Sequence, residues 1–80
     1  MKPLQNLSRL LPGQSAAVTG LNATGPMRRR LQDIGLVQGT MVKCLGASPL
    51  GDPYAYLIRG AVIALRHQDA SSVLVDGQAV

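Results

Sequence analysis

The chain contains no phenylalanine, no tryptophan and no glutamate. It has one cysteine, one histidine and two tyrosines in 80 residues. Each shortage removes a class of explanation. Without large aromatic side chains the core must come from Leu, Val, Ile, Ala and Met. Each large aliphatic contributes about 1.5–3 kcal/mol when fully withdrawn from water. A domain of this size buries only ~60–65% of the surface exposed by its unfolded chain, so that core is thin. The lone Cys44 forms no internal disulfide, which points to a reducing compartment. No apolar run approaches the ~18 residues of a membrane span, and Met1–Asn6 lacks the apolar stretch of a signal peptide. The expectation is a soluble, cytoplasmic protein with a single domain over residues 1–80.

Catalysis and cofactor binding are equally short of material. His67 is the only imidazole, and nothing places Ser71 or Ser72 beside it with a carboxylate as a nucleophile triad requires. There is no GxxxxGK[ST] phosphate cradle. Ferrous iron takes imidazole, carboxylate or thiolate ligands, but one His, one Cys and four Asp are scattered over separate elements. The sequence therefore predicts no enzyme, no cofactor and no metal site. What it does have is basic charge: eight Lys and Arg against four Asp, a formal net charge of +4. Such a balance suits an acidic partner, whether nucleic acid, anionic headgroups or an acidic protein face, and it also keeps a small domain soluble.

Alternation and turn residues outline the rest. Asn6–Leu11 reads as a short helical turn ended by Pro12-Gly13, and Ser15–Leu21 reads as a strand. Pro26 suits the first position of a helix, and Met27, Leu31 and Ile34 make one apolar stripe along it. Arg29 and Asp33 are spaced to pair across one turn. Gly35 stands where a left-handed residue closes a helix. Thr40–Leu45 alternates as a second strand. Gly51-Asp52-Pro53 reads as a turn in which Asp52 bonds its own local backbone. Tyr54–Ile58 and Ala61–Leu65 form a hairpin around Arg59-Gly60. Arg66–Ala70 is a single helical turn, Ser72–Val75 a last strand, and residues 76–80 a frayed tail. About five short strands with one inserted helix bury one face each by closing into a small antiparallel barrel.

Two blocks are the most specific. The first runs Arg30-Leu31-Gln32-Asp33-Ile34-Gly35-Leu36-Val37-Gln38-Gly39-Thr40, a helix end, glycine stop and turn into a strand. The second runs Gly51-Asp52-Pro53-Tyr54 through Ile63-Ala64-Leu65-Arg66, a turn and then a hairpin. In this order they resemble the FeoA family, small cytosolic accessory proteins of bacterial ferrous iron uptake, from about Leu10 to Val75. The resemblance implies a mainly β, SH3-like barrel. As partner it implies the large membrane ferrous iron permease of FeoB type, which carries a cytosolic G-protein domain. On that reading the chain docks on the cytosolic face and modulates transport or nucleotide turnover.

Charge and exposure nominate the contact residues. Arg28, Arg29 and Arg30 form the densest charge cluster, and guanidinium forks pair well with carboxylates; a solvated helix face is the plainer alternative. Tyr54 and Tyr56 share one strand face with Ile58. Turned outward, they would make a mixed apolar and polar contact surface with Leu50; turned inward, they would be the largest core residues. Arg66 completes the set. Two further readings remain open. An SH3-like nucleic-acid-binding module would show steep salt dependence, although two tyrosines on one strand are a meagre stacking platform. A metal-sensing domain would resemble the barrels at the end of iron-dependent repressors, without their preceding DNA-reading helices. Homo-oligomer formation through an unpaired edge is also open.

Overall fold

Residues 5–76 are described in the computed structural model. Period-two alternation makes the strands. In β3 (Met41–Ala47), Val42 and Cys44 turn inward while Met41, Lys43 and Leu45 face out. In β4 (Tyr54–Ile58), Tyr56 and Ile58 turn inward. β1 (Gln5–Asn6), β2 (Ser15–Leu21), β5 (Ala61–Leu65) and β6 (Val73–Val75) complete an antiparallel sheet in the order β1-β6-β2-β3-β4-β5.

β2 is the corner of the fold. Its residues 15–17 pair with β3, whereas Val18 to Leu21 pair with β6 across a register shift between Val18 and Gly20. A second shift between Cys44 and Gly46 bends β3 against β4. Such bulges add twist and bend the strands that carry them. The sheet thus curls into a barrel-like sandwich around an apolar interior, with its two ends, β1 and β5, left unjoined.

Among the described residues, fourteen buried apolar ones line that interior, including Leu7, Leu10, Leu31, Leu36, Tyr56, Ile58 and Val75. The 3-10 turn Leu7–Arg9, capped by Asn6 Oδ1 accepting from the Ser8 N–H at 3.1 Å, sends Leu7 into one end. Helix α1 (Gly25–Asp33) begins one residue earlier than the Pro26 start expected, and its Leu31 seals the interior while Met27 and Ile34 pack partly against it. Gly35 follows with φ 101° and lets the chain turn back. Arg59 (φ 52°) and Gly60 (φ 84°) are both left-handed, so the hairpin turn is of the I′ type that matches strand twist. Helix α2 is His67–Ala70.

Two boundaries differ from expectation. The core reaches back to Leu7, because the early 3-10 turn is part of the interior. Asp76 is no frayed residue, since its N–H donates to the Ala17 carbonyl at 2.8 Å. The remainder of the expected tail, residues 77–80, lies outside the described residues.

Candidate docking site

The three arginines of α1 do not form one patch. Burial of Leu31 fixes the helix rotation and throws all three outward, but their heads part. Arg28 Nη1 donates to the Leu21 carbonyl at 3.4 Å. It borders a groove with Thr19, Gln32, Leu36 and Gln38. Arg29 and Arg30 instead border an open groove of about 460 Å³ with Gly25, Pro26 and Asp33. The expected Arg29–Asp33 pair does not form. Arg30 reaches across to α2, its Nη2 3.9 Å from Asp69 Oδ2.

α2 then links two of the nominated arginines to the loop before β4. Its N-cap position holds Arg66, which has no capping side chain to offer. The Asp52 carboxylate supplies the missing acceptor, taking the His67 N–H on Oδ1 at 2.8 Å. Its Oδ2 lies 3.8 Å from Arg66 Nη1. Asp52 is therefore a long-range cap; the local turn bond expected of it is not made. Leu50, 94% exposed, stands at the tip of the same loop. The structure thus brings Arg30 and Arg66 to α2, each facing an aspartate. Arg28 and Arg29 are the nominated cations without a carboxylate partner among the described residues.

The tyrosine face points inward, which corrects one nomination. Tyr56 is 1% exposed and is the largest buried side chain, its hydroxyl donating to the Leu7 carbonyl at a long 3.5 Å. It holds the barrel together and has no surface to offer a partner. Without Phe or Trp, the interior takes the largest ring the chain has. Tyr54, half-buried, stacks beside it at 6.4 Å between ring centroids. Burial pushes the Tyr56 hydroxyl well above its ordinary value, helped by Cys44, Tyr54 and Asp52. Burial likewise pushes the Cys44 thiol up, opposed by a backbone hydrogen bond from Gly46. Cys44 is fully buried. Among the described residues no three His, Cys, Asp or Glu side chains gather as a metal site.

Sequence reasoning missed Arg59, whose stem lies against Gly35. It also missed the reach of Asp52. The second had a signal: a helical turn starting after Arg66 has no local N-cap of the usual Ser, Thr, Asp or Asn type.

The FeoA domain model matches residues 5–77, nearly the whole chain. The chain belongs to the FeoA domain family. Among solved structures, the FeoA-like protein of Clostridium acetobutylicum is 31% identical with a TM-score of 0.86, over 96% of this chain and 90% of that one. The zinc-complexed FeoA of Stenotrophomonas maltophilia, described as a procaryotic SH3 domain protein, is 32% identical with a TM-score of 0.80, over 90% and 89%. The mainly β, SH3-like architecture read from the sequence is therefore the fold of this chain. A fusion of Fe(2+) transport protein A with the Fe(2+) transporter FeoB, from Porphyromonas gingivalis, is 31% identical over 70 residues. Those residues are 88% of this chain but only 8% of the fusion's length.

Proposed function

We propose that this FeoA-family chain is a non-enzymatic cytoplasmic adaptor of ferrous iron uptake. It docks on the cytosolic side of a FeoB-type permease and modulates transport or the activity of the permease G domain. The observation that carries this reading is the Porphyromonas gingivalis fusion, in which a homologous segment and FeoB share one polypeptide. Covalent linkage raises the effective concentration of two modules that work together. The sparse donor set and the absence of a phosphate cradle suit an adaptor better than a catalyst.

The docking residues in this reading are Arg28 and Arg29, with Arg30, Arg66, Leu50 and the exposed part of Tyr54 beside them. Carboxylates on the permease would meet the two guanidiniums of α1 that face no carboxylate among the described residues, and Leu50 would supply an apolar contact. The test is ferrous iron uptake in host cells lacking this chain. Uptake should change on deletion and return with the wild-type gene but not with an Arg28→Glu/Arg29→Glu version. Uptake indifferent to deletion would contradict the reading.

A further inference from the structure

β5 is an exposed sheet edge without the usual protection. Natural edge strands carry Lys, Pro, inward charges or bulges that discourage pairing with other chains. β5 reads Ala61-Val62-Ile63-Ala64-Leu65 and has none of these. Its register on β4 is regular along its whole length, from Ile58↔Ala61 to Tyr54↔Leu65. In a two-residue hairpin the pair next to the turn is hydrogen-bonded and bonded pairs alternate thereafter. Ala61, Ile63 and Leu65 therefore spend their backbone groups on β4. Val62 and Ala64 turn theirs outward, and no other described element bonds to them.

The surface beside this edge is apolar. Val62 is 66% exposed, and two strands away on β3 Met41 and Leu45 are exposed on either side of Lys43. The cross-strand row Val62, Leu57, Lys43 and the row Ala64, Ala55 place these side chains on the outer face of β3, β4 and β5, with Lys43 the only charge among them.

Charge selects the occupant. Arg59 and Arg66 bracket the strand at its two ends. A second copy laid antiparallel, with Val62 opposite Ala64, would bring Arg59 beside the copy's Arg66 at both ends, two guanidiniums against the single Asp52 carboxylate that lies 3.8 Å from Arg66, and a parallel copy would set like arginines together. A strand with acidic residues at its ends meets the same two guanidiniums favourably. We infer that the β5 edge is a docking strand for an extended apolar segment of a partner protein with acidic residues at both ends, which adds to the sheet through the Val62 and Ala64 backbone groups. The inference shares Arg66 with the permease reading but does not rest on it, because it names the chemistry of the segment and not the protein that supplies it.

The test is selection of random 12-residue peptides displayed on phage against the full chain. Enriched peptides should carry a short apolar stretch flanked by Asp or Glu. They should lose about tenfold or more in affinity for an Arg59→Glu/Arg66→Glu variant. They should also fail on Val62→Pro, a substitution that an edge N–H facing solvent tolerates. Hydrogen exchange keeps the idea falsifiable should Val62→Pro not fold: the Val62 and Ala64 amides should exchange fast in the free chain and slow about tenfold or more on peptide binding. Enrichment of no peptide, or of peptides that leave those two amides unchanged, would overturn the inference. So would a free chain whose Val62 and Ala64 protection rises with its own concentration, because a second copy would then be the occupant.

Discussion

The Asp52 carboxylate accepts the His67 backbone N–H across 15 residues of sequence, tying the loop before β4 to the first turn of α2. The Arg66 guanidinium sits 3.8 Å from the other carboxylate oxygen. One side chain therefore sets the position of α2, and through α2 that of the Asp69 partner of Arg30.

Replacing this cap tests its weight. Asp52→Ala should cost about 1 kcal/mol, the usual worth of an N-cap acceptor. In a domain of this size that lowers the thermal midpoint by about 4–8 °C. Asp52→Asn keeps an acceptor oxygen and should lose much less. Equal losses for Asn and Ala would mean that the negative charge matters and the hydrogen bond does not.

Gly35 and Arg59 should be coupled. A Cβ at Gly35 would come within 2.8 Å of Arg59 Cδ, and the backbone there has φ 101°. Gly35→Ala should destabilise by more than about 1 kcal/mol, because the conformation is unsuited to alanine and the arginine stem is in the way. Arg59→Ala removes the clash but not the backbone strain. Urea unfolding of the double variant should therefore recover part of the loss, with a coupling of at least about 0.5 kcal/mol. No recovery would assign the whole effect to the backbone.

Alkaline pH should unfold the chain through Tyr56 and Cys44. Burial raises both folded values, so both groups stay neutral in the barrel when an unfolded chain would ionise. Their contribution is fully present below the unfolded values of about 10 and 8.5. It is lost as pH rises from there through the folded values. Denaturation midpoints should be flat up to about pH 8 and fall above it. Tyr56→Phe should flatten the limb beyond about pH 10 while giving up only a long hydrogen bond. A limb unchanged in Tyr56→Phe would place the alkaline transition elsewhere.

The same burial makes Cys44 a reporter of opening. A thiol that is both fully buried and held neutral reacts with disulfide reagents only when the structure opens. Labelling at neutral pH should be slow and accelerate with urea in step with unfolding. Rapid labelling of the native chain would contradict the packing of β3.

Much of the fold was legible because local signals agreed with one another. The Leu31 stripe, the Gly35 stop and the Arg59-Gly60 turn each act within a few residues, and each stands where the sequence put it. Tyr56 was ambiguous because alternation says which residues share a face but not which face is buried. The burial of that face by Leu7, 49 residues away, is a tertiary fact. Asp52 was misread for a related reason: its turn chemistry was sufficient locally, so nothing in the GDP segment announced a partner on α2. The α1 arginines are exposed as expected, and reading them as one cluster overlooked that residues two apart on a helix do not face each other, so Arg28 and Arg30 turn to opposite sides.

Docking of this FeoA-family chain on a FeoB-type permease through α1 is a proposal open to direct test. The most direct measurement is a titration of the purified chain against the cytosolic domain of its host's permease, at physiological salt, with and without guanine nucleotide. Saturable binding, weakened at least about tenfold by Arg28→Glu/Arg29→Glu and less by Arg30→Glu, is the predicted result. Binding that ignores all three reversals, or none up to about 100 µM, where the free energy falls short of about 5.5 kcal/mol, would contradict it.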